Sequence, residues 1–377
     1  MKTKLFILTT LLAALAISTS FSAGAVKERS LKKDNNKKEC YEQGYGVEAY
    51  QMSSGYNAPA RIQVSRDWGF FMGGNFLYLH PYQENMQIAE ISRLTQVDGV
   101  YTILGVVEQK FDWAPGFKFN FGWAMNRDKW NLYTEYFHFH KSSLAKASVD
   151  LSNHDYLLLS SLYGSSLENG YYEGTPDNGS YLKSKWKLTL DFVDLNLNRT
   201  FYNGERLILT PEIGLRAAWI HQKVNGYWLY STYSMHLPTS AKAGSFGIGP
   251  KFGLKGKWLL GRGFSMLSDV TGSVLHTHYR LKKDTHSYDS DYPFEPVDIY
   301  HVHNEINYLR PALETELGLG WGMYCSNKDW HVDVALTYIF NVYWHQNMIS
   351  NYYNGLTNTS AGDLYLHGAN FKLMFNF

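Results

Sequence analysis

Ala369-Asn370-Phe371-Lys372-Leu373-Met374-Phe375-Asn376-Phe377 is the stretch whose reading decides the fold. Its odd positions are Ala369, Phe371, Leu373, Phe375 and Phe377, and its even positions are Asn370, Lys372, Met374 and Asn376. Successive side chains of an extended chain point to opposite faces, so one face here is apolar and the other largely polar. The pattern predicts a strand with an oily neighbour on one side and a wet one on the other.

The same period recurs upstream. In 329–345 the even residues Trp330, Val332, Val334, Leu336, Tyr338, Phe340, Val342 and Trp344 are apolar, against Asp329, His331, Asp333, Thr337 and Asn341. In 207–222 Leu207, Leu209, Ile213, Leu215, Ala217 and Trp219 oppose Thr210, Glu212, Arg216 and Gln222. Residues 246–260 and 111–123 repeat it, with Lys251, Lys255 and Lys257 on one polar face and Asp112, Lys118 and Asn120 on the other. In 184–202 the apolar phase runs Trp186, Leu188, Leu190, Phe192 and then changes to Val193, Leu195, Leu197. One extra residue produces such a slip, which predicts a β-bulge or kink near Phe192. Pro211, Pro250 and Pro311 fall inside strand patterns; each lacks a ladder donor, which predicts bulges or weakened pairing there.

Connections alternate strictly in length. Short polar ones fall at Asn126–Lys129, Asn203–Arg206, Leu260–Gly263 and Cys325–Asp329, and long ones at 81–107, 147–183, 225–242, 283–303 and 348–361. Ten strands stand out, near 68–80, 108–125, 129–146, 184–202, 206–224, 243–260, 263–282, 304–324, 329–347 and 362–377. The connection 81–107 is apolar enough for another hairpin, and 147–183 has room for one more. No helical pattern covers the apolar faces, so lipid must. The expectation is an all-β, transmembrane, antiparallel up-and-down β-barrel of ten to fourteen strands, with twelve the expected number. Short turns then lie on the periplasmic side and long loops outside the cell. Many strands exceed the roughly 9–11 residues that span a bilayer, which predicts projection beyond the outer leaflet.

The N-terminus supplies the compartment. Lys2 and Lys4 precede the apolar stretch Leu5 to Ile17, followed by Ala23-Gly24-Ala25. This reads as a secretory signal peptide, residues 1–25, cut after Ala25 or Ala23. The apolar run of about 13 residues is short of the about 20 needed by a membrane-spanning helix. Residues 26–65 carry Lys27, Arg29, Lys32, Lys33, Lys37 and Lys38 and read as a polar periplasmic segment ahead of a barrel at 66–377. A strand ending on Phe377 resembles the C-terminal assembly signal of bacterial outer-membrane proteins. The barrel-assembly machinery and outer-membrane lipid are therefore expected partners. Aromatics make up 16% of the chain, with 29 Tyr and 11 Trp, and charged residues only 18%. Mean hydropathy is −0.32. A barrel accounts for this combination, because it needs apolar residues only at alternate positions plus aromatic girdles at both interfaces. A net charge of +1 gives no footprint for nucleic acid.

The polar faces supply candidate pore-lining residues. The basic ones are Lys118, Lys185, Lys187, Arg216, Lys251, Lys255, Lys257, Arg310 and Lys372; the acidic ones are Asp112, Asp191, Asp194, Glu212, Asp269, Glu314, Glu316 and Asp333. A wall so nearly balanced wets a channel without strong charge selectivity, which suits passive diffusion of small hydrophilic solutes. The rival is a closed lumen whose charges pair across it, in a surface adhesin or structural envelope barrel acting through its long loops. The loop 147–183, rich in Ser, Tyr, Gly and Asn, is the candidate for that role. Ten strands favour the closed lumen and fourteen the open one.

Cys40 precedes the barrel and Cys325 falls in a short turn, so both lie in the oxidising periplasm. A disulfide, within the chain or to a neighbour, competes with two free thiols. The pairs His138/His140, His276/His278 and His301/His303 each share a strand face, but no cysteine or carboxylate stands at fixed spacing beside them. No metal or cofactor is expected. No G-x-S-x-G motif occurs, and the chain reads as a non-enzyme.

Several blocks carry a resemblance: Gly74-Asn75-Phe76-Leu77-Tyr78; Phe111-Asp112-Trp113-Ala114-Pro115-Gly116-Phe117 with Gly122; Trp130 through Tyr136-Phe137-His138; and Asp194-Leu195-Asn196-Leu197-Asn198-Arg199. Pro211-Glu212-Ile213-Gly214-Leu215-Arg216, Ala218-Trp219, Gly247-Ile248-Gly249-Pro250, Leu309-Arg310-Pro311, Tyr343-Trp344, Asp363-Leu364 and Leu366-His367-Gly368 follow. In order and spacing they resemble the chlamydial and Legionella-type major outer-membrane porin family over roughly 68–377. The resemblance implies an abundant diffusion porin, with a homo-oligomer or disulfide-linked envelope neighbours as further partners. With two cysteines, this chain departs from the cysteine-rich chlamydial branch.

Overall fold

The computed structural model describes residues 56–62, 64, 69–95, 100–125, 129–149, 156–160, 179–230, 235–287, 297–326, 329–349 and 361–377. The expected signal peptide, most of the polar segment after it, and Cys40 lie outside the described residues.

Fifteen strands follow in chain order: β1 (Tyr56–Pro59), β2 (Phe70–Gln83), β3 (Gln87–Thr95), β4 (Val100–Glu108), β5 (Ala114–Ala124), β6 (Trp130–Ser148), β7 (Tyr156–Ser160) and β8 (Gly179–Arg199). Then come β9 (Phe201–Asn203), β10 (Leu207–Tyr230), β11 (Met235–Gly261), β12 (Phe264–Ser287), β13 (Val297–Cys325), β14 (Trp330–Asn347) and β15 (Gly362–Asn376). Ten of them form one antiparallel ring, β2-β5-β6-β8-β10-β11-β12-β13-β14-β15, and β15 returns to β2. The barrel thus closes at ten strands, not the expected twelve. The apolar residues of 81–107 do form a hairpin, β3–β4, but it pairs with β7 in a separate three-stranded sheet. The short β1 lies against β9, itself part of the turn leading into β10.

The alternation read from the sequence is realised in burial. Leu215, Phe252 and Leu336 present 56%, 57% and 62% of their surface outwards, whereas their inward neighbours Arg216, Lys251 and Ala335 are buried. Such an outer surface is stable only in lipid. Trp123, Trp258 and Trp321 stand towards the periplasmic end of this belt, and Trp219, Phe246 and Tyr338 towards the other. Tight turns close the periplasmic end. Between β11 and β12, Gly261, Arg262 and Gly263 all take positive φ (104°, 53° and 82°), which explains the two glycines.

The predicted bulge near Phe192 does not form. β8 pairs with β6 and with β10 in unbroken register past that point. From Leu182 to Asn198 the even residues of β8 face inwards and the odd residues outwards. What changes at Phe192 is which face is apolar. The prolines also leave the register intact. Pro211 and Pro311 pair in register, and at Pro250 the ladder to β12 omits Gly249 and Pro250 and resumes at Lys251 in the same register. All three are exposed on the outer face, where strand pairing tolerates them as local gaps.

Wall height is uneven. β6, β8, β10, β11, β12 and β13 run 19–29 residues, against 11 in β5 and 14 in β2. β13 and β14 pair only up to Ala312↔Tyr343. Beyond Tyr343 the end of β14 turns into the barrel: His345 takes φ 54°, and Gln346, Asn347, Met348 and Ile349 are buried.

Candidate functional site

The inner wall falls into two zones. In the periplasmic half it is built from charged and amide side chains on every strand. Arg216 of β10 lies at the centre. Its Nε and Nη2 donate to both oxygens of Asp194 on β8 at 2.8 and 2.7 Å, and its Nη1 and Nη2 donate to Glu314 on β13. Lys251 of β11 pairs with Asp194 at 2.9 Å and with Glu212 at 3.2 Å. Lys255 donates to Glu212 at 2.7 Å and to the Tyr133 hydroxyl at 2.6 Å, and Tyr133 in turn donates to Glu212. The Tyr343 hydroxyl donates to Glu314 at 3.1 Å. Towards the periplasm, Lys257 meets Asp333 at 2.9 Å, Lys372 meets Glu316 at 2.5 Å and Lys118 meets Glu135 at 3.5 Å.

Some of these pairs join neighbouring strands, and others tie together strands that are not neighbours in the wall. Arg216 and Glu314 are separated by β11 and β12, and Lys257 and Asp333 by β12 and β13. The charges therefore bridge the lumen. Burying one charge requires a partner, and here bidentate and shared carboxylates supply it. Below the Arg216 cluster lies a cavity of about 350 Å³. Lys118, Glu135, Lys255, Asp269 and Glu316 line it, and Ala60, Arg61, Ile62 and Val64 of the segment after β1 reach it from the periplasmic end.

Above Arg216 the inner wall becomes apolar. Trp186, Leu188, Leu190 and Phe192 of β8 meet Phe137 and Phe139 of β6, Ile220, Val224 and Trp228 of β10, and Leu275, Tyr279 and Leu281 of β12 in one core. Ile88 of β3, Leu364 and Leu366 of β15, and the inturned Met348 and Ile349 complete it. Trp186, Leu188 and Leu190 are each 0% exposed. Two cavities found in this zone measure about 20 and 10 Å³, room for a water at most. Gln346 anchors the inturned end of β14: it accepts from the Tyr279 hydroxyl at 2.9 Å and donates to Ser245 at 3.4 Å.

Of the expected pore-lining residues, Lys118, Asp194, Glu212, Arg216, Lys251, Lys255, Lys257, Asp269, Arg310, Glu314, Glu316, Asp333 and Lys372 do face the interior. Arg310 belongs to the upper zone, with its guanidinium donating to the Tyr279 hydroxyl at 3.0 Å and stacked over Tyr308. Lys185, Lys187 and Asp191 do not line the lumen. Their odd positions on an unbulged β8 place them outside, where Asp191 accepts from the Tyr136 hydroxyl and contacts His138 Nδ1, both at 2.7 Å. Asp112 precedes β5, and its side chain is 71% exposed. The sequence reading missed Tyr133 and Glu135. The alternation on β6 pointed to both, since their neighbours Leu132, Thr134 and Tyr136 face outwards.

His138, His140, His276, His278, His301 and His303 sit on outer faces. His138 contacts Asp191, His301 pairs with Asp284 at 2.6 Å, and His140 meets Thr189 Oγ1 at 2.9 Å. Among the described residues no three His, Cys, Asp or Glu side chains are placed to hold a metal ion. Cys325, at the end of β13, is a half-buried thiol.

The chain is similar to several solved structures. The outer membrane protease OmpT of Escherichia coli is 13% identical, with 84% of this chain and 99% of that one covered and a TM-score of 0.37. The toluene transporter TodX of P. putida is 8% identical over 86% and 99%, with a TM-score of 0.25. The monoaromatic hydrocarbon channel CymD is 9% identical over 82% and 88%, with a TM-score of 0.30. No curated protein sequence matches the chain. The family model for the Legionella pneumophila major outer membrane protein precursor matches residues 63–377. With its lipid-facing barrel and that match across most of its length, the chain belongs to the Legionella major outer membrane protein family and resides in the outer membrane.

Proposed function

We propose that this protein is an outer-membrane barrel with a closed lumen, acting as a structural and surface-presenting element of the envelope. The observation that carries this reading is the apolar core filling the outer half of the barrel. Solutes crossing the membrane would have to displace Trp186, Trp228, Phe192 and the inturned β14 end. Ten strands agree with it, because barrels of about eight strands are filled by side chains and an aqueous channel is a feature of about sixteen. The ion pairs bridging the periplasmic half act in the same direction. Above the membrane the tall strands and the β3-β4-β7 sheet provide a folded surface for recognition. The chain reads as a non-enzyme: the carboxylates at its centre are held by Arg216, Lys251 and Lys255, which suits cross-bracing better than proton transfer.

The diffusion-porin reading retains one specific support, the charge-balanced cavity of about 350 Å³ at the periplasmic end. It needs a second state in which the upper core parts. Planar-bilayer recording of the refolded full chain separates the two. The closed-lumen reading expects a silent membrane at moderate voltage; steady ohmic steps would establish the porin instead.

A further inference from the structure

A row of like charges crosses the outer surface of the tall wall. Lys187 of β8 pairs in register with Lys223 of β10, Lys223 with Lys242 of β11, and Lys242 with Lys282 of β12. These residues are directly opposite one another, about 5 Å apart between backbones. All four face outwards; Lys187, Lys242 and Lys282 are exposed and Lys223 is half-buried. None of the four has an acidic partner among the described residues. The nearby acids are committed elsewhere: Asp284 contacts His301, and Glu305 contacts His278, Arg280 and His303. Like charges placed directly opposite on adjacent strands destabilise a sheet. Four in succession constitute a cost that an external anion would relieve.

The height of the row identifies the anion. Trp219 and Phe246, exposed on the outer face with ring centroids 5.2 Å apart, are the last large apolar side chains before the lysines on β10 and β11, and we take them as the upper edge of the lipid-facing belt. Lys223 and Lys242 each lie four residues further along the same strands. At about 3.3 Å per residue and a tilt near 40°, that is roughly 10 Å above the belt, the depth of the headgroup layer. Lysine stems reach back towards that layer. Beside the row, a side chain at Gly244 would meet nothing within 4 Å, so the surface there is open.

We propose that Lys187, Lys223, Lys242 and Lys282 form a binding site for the phosphate groups of an outer-leaflet lipid, whose acyl chains lie along the Trp219–Phe246 surface. The row thereby fixes the depth of the barrel in the membrane.

The test uses the full chain, folded in neutral detergent, and titrates it with bis-phosphorylated lipid A while intrinsic tryptophan fluorescence and the unfolding temperature are followed. Replacing all four lysines with glutamine should weaken binding roughly 600-fold, since each juxtamembrane lysine contributes about fivefold. The four-arginine variant should bind as the parent does, and heat-modifiable migration on gels shows that each variant folds. Dephosphorylated lipid A should bind weakly to all of them. Equal binding by parent and glutamine variant overturns the proposal. So does equal binding of dephosphorylated lipid, or full displacement by millimolar inorganic phosphate, which would mark a free-anion site instead.

Discussion

Below Phe192 the barrel has lipid outside and charge inside; above it, charge outside and an apolar core inside. Val193 and Leu195 face lipid while Asp194 and Asn196 face the lumen, but a few residues earlier Lys185 and Lys187 face out while Trp186 and Leu188 face in. The backbone is the same continuous strand throughout. The difference teaches that a β-strand fixes only which residues share a face; the solvent beyond each face fixes their chemistry. In the membrane the outer solvent is lipid. Above it the outer solvent is water, and the hydrophobic effect fills the interior as it does in a soluble sandwich.

The comparison can be broken most severely at its two centres. Trp186→Ala in the upper core should destabilise the barrel by about 3–5 kcal/mol through the cavity it leaves. Arg216→Ala in the lower half should cost about the same, because Glu314 and Asp194 then lose their shared guanidinium while remaining in a low-dielectric lumen. Both are read from the urea midpoint of the folded, lipid-reconstituted protein; a shift below about 1 kcal/mol in either would remove that zone from the account.

Exchanging the two outer faces gives a sharper test of intermediate size. Leu215→Lys places a charge in the lipid belt and should cost about 2–4 kcal/mol. Lys185→Leu, the reverse exchange above the belt, should leave the midpoint unchanged. Equal costs for the two would contradict the assigned membrane boundary. The smallest expected effect is at Lys257→Gln. Its pair with Asp333 is partly open to water, and its loss should cost less than about 1 kcal/mol.

Most of the architecture was legible in the period-two pattern. The strands, their short and long connections and the inward phase of Glu212, Arg216, Lys251 and Glu314 all follow from alternation against a wet lumen. The apolar face was equated with the lipid face throughout, and there the reading went astray. On β8 that assumption converted a change of surroundings into a bulge, and it placed Lys185, Lys187 and Asp191 in the lumen. Strand number was not legible either. The apolar residues of 81–107 showed that a hairpin forms, but not that it joins β7 outside the ring. The pairing of Arg216 with Glu314 was equally hidden, since β10 and β13 meet only through closure of the barrel, whereas Asp194 stands opposite Arg216 on the neighbouring β8.

A spin-label scan along β8 from 183 to 198, in a background with Cys40 and Cys325 replaced by serine, tests the central claim directly. Collision with oxygen reports lipid, and collision with a nickel chelate reports water. The inversion predicts nickel access at 183, 185 and 187, oxygen access at 193, 195 and 197, and access to neither at 186, 188, 190 and 192. Lipid exposure at 186, 188 and 190, with the phase reversing at 192, would restore the bulge and contradict the account.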